Sequence, residues 1–398
     1  MKCVLIGPTY PFRGGIAHYT TLLCQELQKR HQVTLLSFRR QYPAWLFPGR
    51  TDRDPSQQVL AVDCERLLDP LQPWTWLKTA RRIVELAPDL VLLQWWVPFW
   101  APIWSVILGR VRRRIPGRVL FICHNVLPHE PRAWDPLLAR RVLGQSDAVI
   151  VHSQRDRMAL LSLLPNMPAY VTPHPTYEIL APTTWPASEA RRQLGLAEEK
   201  PVLLFFGFVR AYKGLRYLIE ALALIRARLD AHLLVVGEFW DDVAAYQAQI
   251  RALDLEAQVT LIDRYIPNEE VGLYFAAADL VVLPYTDASQ SGVAQIALGA
   301  GVPVITTSVG GLPDVIQDGA TGFLVPPRDS QALAAAILRY FEEGLGPTFR
   351  ANIQAQKARF SWDRLVALIE ELAGGSSAAE AADSQSARPD MTTEVLAR

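Results

Sequence analysis

Residues 201–215 read PVLLFFGFVRAYKGL, and this stretch decides the fold. The apolar run 202–206 is the length of one buried strand and too short for a buried helix. Gly207 ends it, Arg210 and Lys213 follow three residues apart, and Gly214 opens a helical pattern over 214–228. Strand, glycine-flanked cationic loop and helix make one unit of an open parallel sheet, whose ligands bind beyond the carboxyl ends of the strands. Two cations beside a helix start suit a diphosphate, because charge-assisted hydrogen bonds exceed neutral ones. Read from the loop alone, the alternative of two solvated surface groups stays open.

The same rhythm runs in both directions. Downstream, strands are expected near 232–236, 258–262, 279–283, 303–306 and 322–325, with helices around 242–253, 268–277 and 329–343. Upstream, strands are expected near 2–7, 32–38, 89–94, 118–123, 147–151 and 169–172, with helical patterns at 16–30 and 153–163. Buried strands alternating with helices imply parallel sheets covered on both faces. A connection rich in proline (Pro173, Pro175, Pro182, Pro186) divides the two series, as a linker between domains would. A chain of 398 residues accommodates two such domains.

Composition narrows the function. Forty basic and forty acidic side chains balance to zero, which gives no electrostatic footprint for nucleic acid. Cys3, Cys24, Cys64 and Cys123 contain no CxxC pair, which argues against a disulfide scaffold and a structural zinc site and favours a reduced, intracellular setting. The opening MKCVLIGPTYPFRGG reads as a strand entering a turn rather than a signal peptide. The uncharged run 90–109, followed by Arg110, Arg112, Arg113 and Arg114, has the dimensions of a membrane span. Pro98 and Pro102 divide it into a strand and a helix of about 99–114. Its aromatics are then either packed core, or Trp95, Trp96, Phe99, Trp100 and Trp104 dock shallowly on a bilayer beside the arginines.

Other strand-end loops repeat the anion theme. Gly14 and Gly15 precede a helix from Ile16, and 284–293 (PYTDASQSGV) precedes one over 292–299. Gly310 and Gly311 are expected before a further short helix. Glycines at helix starts let backbone N–H groups approach a phosphate. In the first half, strand 118–123 runs into His124 and Asn125, with His129 and Glu130 close behind. A histidine there suits acid–base work or a structural role; the spacing fits no common zinc motif.

These motifs, in this order, resemble the GT-B glycosyltransferases of family 4, also called glycosyltransferase group 1. The resemblance runs from Met1 to about Leu372 and rests on Gly14-Gly15-Ile16, His124-Asn125, Gly207…Arg210-x-x-Lys213-Gly214, the segments 278–284 and 301–305, and 310–326. It implies an α/β fold of two Rossmann-like, doubly wound parallel-sheet domains facing a cleft. The domain plan is then an acceptor-binding domain over 1–180, a nucleotide-sugar domain over 188–345, helices over 346–373 crossing back to the first domain, and a disordered tail over 374–398. It further implies transfer of a sugar, with retention of configuration, from a UDP- or GDP-linked donor to a glycan or lipid-linked acceptor, in cell-surface polysaccharide or glycoconjugate synthesis.

Carried over residue by residue, the resemblance assigns His124 to the transferred sugar as the catalytic residue. Gly14, Gly15, Arg210, Lys213, Gly214, Ser289, Gln290, Ser291, Gly292 and Val293 fall on the donor side; His18, Asn125, His129 and Glu130 on the acceptor side. No metal and no cofactor is expected, and no nucleic-acid partner; the setting is cytoplasmic, with peripheral contact at the inner face of the plasma membrane. The sequence departs from the family at one place. The two glutamates usual before the Gly-x-Pro-Val strand are Ala288 and Ile296 here, and Ser289-Gln290-Ser291-Gly292 stands where the first would act. That departure keeps two alternatives open, a non-catalytic nucleotide-sugar-binding relative and a GT-B-fold nucleotide-sugar epimerase.

Overall fold

A computed structural model describes residues 1–43, 45, 49–57, 60–128, 132–182 and 185–375. The first domain comprises β1 (Lys2–Ile6), α1 (Gly15–Gln28), β2 (Gln32–Phe38), β3 (Glu65–Leu68), α2 (Pro73–Leu86), β4 (Leu90–Trp95), α3 (Ala101–Val111), β5 (Arg118–Cys123), α4 (Asp135–Leu143), β6 (Ala148–Val151), α5 (Gln154–Leu163) and β7 (Ala169–Val171). The second comprises α6 (Ala187–Gln193), β8 (Val202–Phe206), α7 (Leu215–Ile225), β9 (His232–Val236), α8 (Val243–Ala252), β10 (Val259–Ile262), α9 (Asn268–Ala277), β11 (Leu280–Leu283), α10 (Gly292–Gly299), β12 (Val304–Thr307), β13 (Gly322–Val325), α11 (Ser330–Glu342) and α12 (Gly346–Ala355). Last comes α13 (Trp362–Gly374).

The sheets have seven and six strands, ordered β3-β2-β1-β4-β5-β6-β7 and β10-β9-β8-β11-β12-β13, and the pairings within them are parallel. Strand order reverses between β1 and β4 and again between β8 and β11, and at such switch points a doubly wound sheet opens a crevice for ligands. The loops after β1 and β8 lie there. These are the two Rossmann-like sheets expected.

Their central strands are largely apolar because both faces are covered. In the first domain, Val91, Leu93, Phe121 and Val149 pack under α2, α3 and α4, while Leu5, Leu92 and Ile122 pack under α1 on the other face in a core that continues into the second domain. In the second, Leu203, Phe205, Leu233 and Val235 pack against α7 and α11.

The boundaries differ in detail from the expected plan. The turn Glu178–Leu180 packs on α9 and α10, and the Tyr177 N–H points at the Gln295 carbonyl at 3.5 Å, so the chain has entered the second domain before residue 180. Helix α12 stays with that domain, through Phe349 in its core and Arg350 on the Gly301 and Ala278 carbonyls. Only α13 crosses back, packing on α1. Arg30 pairs with Asp363 at 2.8 Å, His31 with Glu370 at 2.8 Å, and Arg118 donates to the Leu372 carbonyl at 2.7 Å. Of the expected tail, Gly374 ends α13 and 376–398 lie outside the described residues. Gly310 and Gly311 lead into turns, not the expected short helix.

The uncharged run 90–109 divides as its prolines demand, into β4, a 3-10 turn at Pro98–Trp100, and α3. Among the described residues no helix is long and apolar enough to cross a membrane. Trp95, Trp96, Trp100 and Trp104 are buried, because β4 and α3 turn them into the core that Phe38 and Phe121 share. Of the two alternatives for this segment, these four tryptophans therefore take the packed core and not the bilayer contact. Phe99 alone of the five is exposed, and Arg110 to Arg114 stand at the far end of α3 from it.

Candidate functional site

A pocket of about 220 Å³ opens where the two switch points face each other. Gly14, Gly15 and His18 form one wall, from the loop after β1 and the first turn of α1. Gly207, Phe208 and Lys213 form the opposite wall, from the loop after β8. The starts of α9 (Asn268, Val271) and α10 (Gly292, Val293, Ile296) close the sides, with Tyr177, Leu180, Gly237, Glu238, Tyr265 and Ile266.

The glycines are positional. Gly14 has φ +105°, and a Cβ on Gly14 or Gly15 would meet nothing within 4 Å, so both present bare backbone to open space at the start of α1. Gly214 has φ +70°, and a Cβ there would stand 2.0 Å from the Pro284 carbonyl oxygen. It caps the cationic turn in a conformation other residues resist. It is not among the lining residues and acts by shaping this turn.

Lys213 is the buried cation of the pocket. Its Nζ lies 5.4 Å from the Tyr285 ring centre, and among the described residues no carboxylate lies within ion-pair distance of it. Burial pushes its ammonium below the ordinary lysine range; Tyr212 opposes and the Arg210 charge adds to that shift. An ammonium held so, close to Gly207 and beside the start of α10, has the chemistry to attract an anion.

Arg210 is placed differently from its partner in the sequence. It is exposed, with its guanidinium 5.3 Å from the Tyr212 ring and 5.5 Å from the Trp240 ring. Trp240 stacks on Phe208, a lining residue, at 4.5 Å. Arg210 therefore stands at the rim, held by aromatic faces.

The Ser-Gln-Ser segment is spent on structure. The Ser291 hydroxyl accepts from the Ala294 N–H as the N-cap of α10. Gln290 turns towards the first domain and donates from Nε2 to the His152 carbonyl at 3.0 Å. Ser289 accepts through its carbonyl from the Gly311 N–H at 2.9 Å. None of the three lines the pocket, whereas Gly292 and Val293 do. The N-cap takes one N–H of the first turn and leaves others for a ligand.

His124 does not line the pocket. It is buried, with Nε2 2.6 Å from the Gln94 side-chain oxygen, in a cluster with His152 and His174 around Tyr19, whose ring centre is 4.7 to 5.4 Å from each imidazole. Burial holds all three histidines low, His152 at about 4 and His174 at about 3, and His124 is lowered further by the other two. All three are neutral at pH 7. Asn125 donates to the Trp96 carbonyl at 3.4 Å and is also outside the pocket. His129 and Glu130 lie outside the described residues.

His18 is the imidazole that reaches the pocket. Its Nε2 is 3.6 Å from Asp54 Oδ2. Burial alone would raise the Asp54 carboxyl, but the neighbouring His18 and hydrogen bonds from the Ser56 N–H and hydroxyl outweigh it and hold it below the usual range.

Several residues of the site were not foreseen. Arg13, beside the glycine pair, makes a bidentate pair with Glu238 at 2.6 and 3.0 Å, both side chains being buried. The guanidinium also lies over Tyr265 at 4.9 Å. Glu238 accepts in addition from the Trp240 indole at 3.0 Å and the Arg50 N–H at 2.9 Å. Burial would raise the Glu238 carboxyl; Arg13 and the N–H donors hold it low. A strap over residues 50–57 completes the seam: Ser56 Oγ accepts from the Asn268 N–H, and Arg50 pairs with Asp263. The available signals were Arg13 in a strand-end loop and Gly237-Glu238 at the end of β9; the strap shows no pattern of its own. Among the described residues no group of three His, Cys, Asp or Glu side chains is placed to hold a metal ion.

Comparison with known proteins follows this geometry. A family model described as Glycosyltransferase Family 4 matches residues 13–176, and one described as Glycosyl transferases group 1 matches residues 200–343. A D-inositol 3-phosphate glycosyltransferase of Corynebacterium glutamicum is 29% identical over 263 residues, covering 62% of this chain and 63% of its own. That of Geodermatophilus obscurus is 33% identical over 205 residues, covering 47% of this chain and 45% of its own. The match thus spans less than two thirds of these curated relatives. Among solved structures, sucrose-phosphate synthase of Thermosynechococcus elongatus aligns with a TM-score of 0.70 at 23% identity, over 93% of this chain and 98% of its own. Anabaena Alr3699/HepE in complex with UDP-glucose aligns with a TM-score of 0.71 at 22% identity, over 94% and 99%. At such identity the likeness is one of fold.

Proposed function

Because the chain belongs to the group 1 glycosyltransferases, whose two family models between them span most of it, we propose that it transfers a sugar from a nucleoside diphosphate donor to an acceptor hydroxyl. The observation that carries this is Lys213, a buried ammonium with no carboxylate against it among the described residues, lining one pocket with Gly14, Gly15 and the start of α10.

In this reading the donor diphosphate lies between Lys213, the N–H groups of Gly14 and Gly15, and those of Gly292 and Val293. Leu180, Ile266, Val271 and Ile296 form an apolar wall for the nucleoside. As the bond from the anomeric carbon to the diphosphate breaks and the acceptor oxygen bonds to that carbon, negative charge grows on the leaving phosphate and the hydroxyl proton is released. A fixed donor aimed at such charge contributes about 3–4 kcal/mol. In this reading His18, beside Asp54, is the imidazole that meets the sugar or the acceptor, and His124 acts indirectly, packed on Tyr19 next to His18 in α1. Retention of configuration, a UDP or GDP donor, a glycan or lipid-linked acceptor and a cytoplasmic setting belong to the same proposal.

Titration calorimetry with UDP and GDP, alongside nucleotide release from a panel of UDP- and GDP-sugars, tests it. Binding of one diphosphate that Lys213→Ala weakens, with release of that nucleotide in the presence of acceptor, is expected. Absence of binding by either nucleotide, or unchanged binding in Lys213→Ala, would overturn the assignment. Ala288 and Ile296 are apolar where the family usually has carboxylates, and this favours a second reading. A donor bound but never turned over would identify a binding protein on the same fold.

A further inference from the structure

The two halves of this neutral chain are oppositely charged. Residues 1–180 carry 22 Lys and Arg against 13 Asp and Glu, whereas residues 181–398 carry 18 against 27. The first domain therefore has a net charge of +9 and the remainder −9. Balanced totals conceal a basic body joined to an acidic one.

Several of the basic domain's exposed large apolar side chains gather on one layer, while Trp45 and Met158 are exposed on other segments. Helices α2, α3 and α4 lie side by side over the same face of the sheet. Each follows a parallel strand and runs back antiparallel to it, so their first turns meet at the strands' carboxyl edge, where the donor pocket opens. Those first turns carry Trp74, 65% exposed, Leu77 on α2, Phe99 just before α3, and Trp134 and Leu137, 56% and 68% exposed, at α4. Between Phe99 and Trp134 runs a groove of about 420 Å³ lined by Pro98, Pro102, Pro128 and Leu138. Lys78 and Arg81 on α2 are exposed and have no ion pair among the described residues, and Arg132 lies 5.7 Å from the Trp134 ring. Large apolar side chains projecting from a helix layer, with unpaired cations among them, are costly in water and favourable at a headgroup boundary.

We infer that the first turns of α2, α3 and α4 form a docking face for an anionic lipid bilayer. Trp74, Phe99, Trp134 and Leu137 enter the headgroup region, while Lys78, Arg81 and Arg132 pair with lipid phosphates. The net positive charge of residues 1–180 attracts the anionic surface and the acidic second domain turns away from it, which orients the molecule. Docked so, the cleft edge lies next to the membrane, where a lipid-borne acceptor hydroxyl would arrive. The face itself stands independently of the transfer reading; only this last consequence rests on it.

Flotation of the full chain with vesicles of equal parts phosphatidylcholine and phosphatidylglycerol tests the face without nucleotide or acceptor. The wild type is expected to float with these vesicles at low salt and to stay down with phosphatidylcholine alone. Combined Trp74→Ser and Trp134→Ser should lower partitioning roughly tenfold. Combined Lys78→Glu and Arg81→Glu should lower it by a similar factor, roughly tenfold, at low salt and far less at high salt. All four side chains are on the surface, and an unchanged melting temperature with unchanged UDP binding would show that the variants are intact. A wild type that stays down with anionic vesicles, equal flotation with phosphatidylcholine alone, or tryptophan variants that float as the wild type does would each overturn the inference. UDP binding is read separately, so failure here leaves the transfer reading in place, and the converse also holds.

Discussion

Replacing Lys213 by methionine should make the free protein more stable and its donor binding worse. The stem of lysine packs as methionine does, so the substitution removes a charge and little volume. In the free protein that charge is buried, has no carboxylate partner among the described residues, and is held below the ordinary lysine range by burial. An ammonium so depressed is a cost to folding at neutral pH, because the unfolded chain holds its proton more firmly. Relief of even about 1 kcal/mol raises the melting temperature of a domain of this size by roughly 2–4 °C. With the diphosphate bound, the sign reverses. A hydrogen bond between charged groups contributes about 1.5–3 kcal/mol, so UDP affinity should fall roughly 10- to 150-fold. A thermal-shift titration reads both effects together, since the unliganded midpoint reports the first and its rise with UDP the second. A Lys213→Met protein that melts lower than the wild type yet gains as much from UDP would refute the reasoning, for the ammonium would then be a structural group directed elsewhere.

Three further outcomes follow from the site. Glu238→Leu should destabilise the seam between the domains by about 3–5 kcal/mol, because it leaves the buried Arg13 guanidinium without its carboxylate; small-angle scattering should show a larger radius of gyration, and an unchanged profile would show that the pair does not hold the cleft closed. Stability should fall with acid below about pH 6.5, the unperturbed histidine value, since the unfolded chain takes up protons there while folded His152 and His174 do not until about 4 and about 3. His152→Asn should flatten that fall while keeping a donor for the Thr172 carbonyl, and equal slopes in variant and wild type would place the titration elsewhere. Gly214→Ala should abolish UDP binding or prevent folding of the second domain, given a Cβ 2.0 Å from the Pro284 carbonyl at φ +70°; wild-type binding by this variant would mean that the turn adapts freely.

The architecture was legible because its strands are. A buried parallel strand is a short unbroken apolar run, and β2, β5, β8 and β13 lie where such runs predict. Strand β3 was missed because Glu65-Arg66-Leu67-Leu68 is an edge strand with half its residues polar. Helix α2 was missed because Pro73, Trp74 and Trp76 open it, although proline in a first turn is compatible with a helix. The anion loops could be placed because glycine and cation at a strand end have a direct physical reading. Which of two neighbouring cations turns inward could not be read: Lys213 and Arg210 are three residues apart, and only the short turn between them and the Trp240 face decide it. Arg13, Glu238, Asp54 and Asn268 meet across the cleft from loops more than 200 residues apart in the Arg13–Glu238 case. No local pattern records that meeting.

The return of α13 onto α1 has a consequence for the nascent chain. The first sheet has received its last strand by Val171, yet the helix that covers α1 begins only at Trp362. As the polypeptide leaves the ribosome, the first domain must wait with an apolar flank uncovered until the whole second domain has been synthesised. Domains generally fold as units during synthesis, the N-terminal one first; here completion comes in reverse order. A premature stop between β13 and α13 would leave two finished sheets with the α1 flank of the first still uncovered.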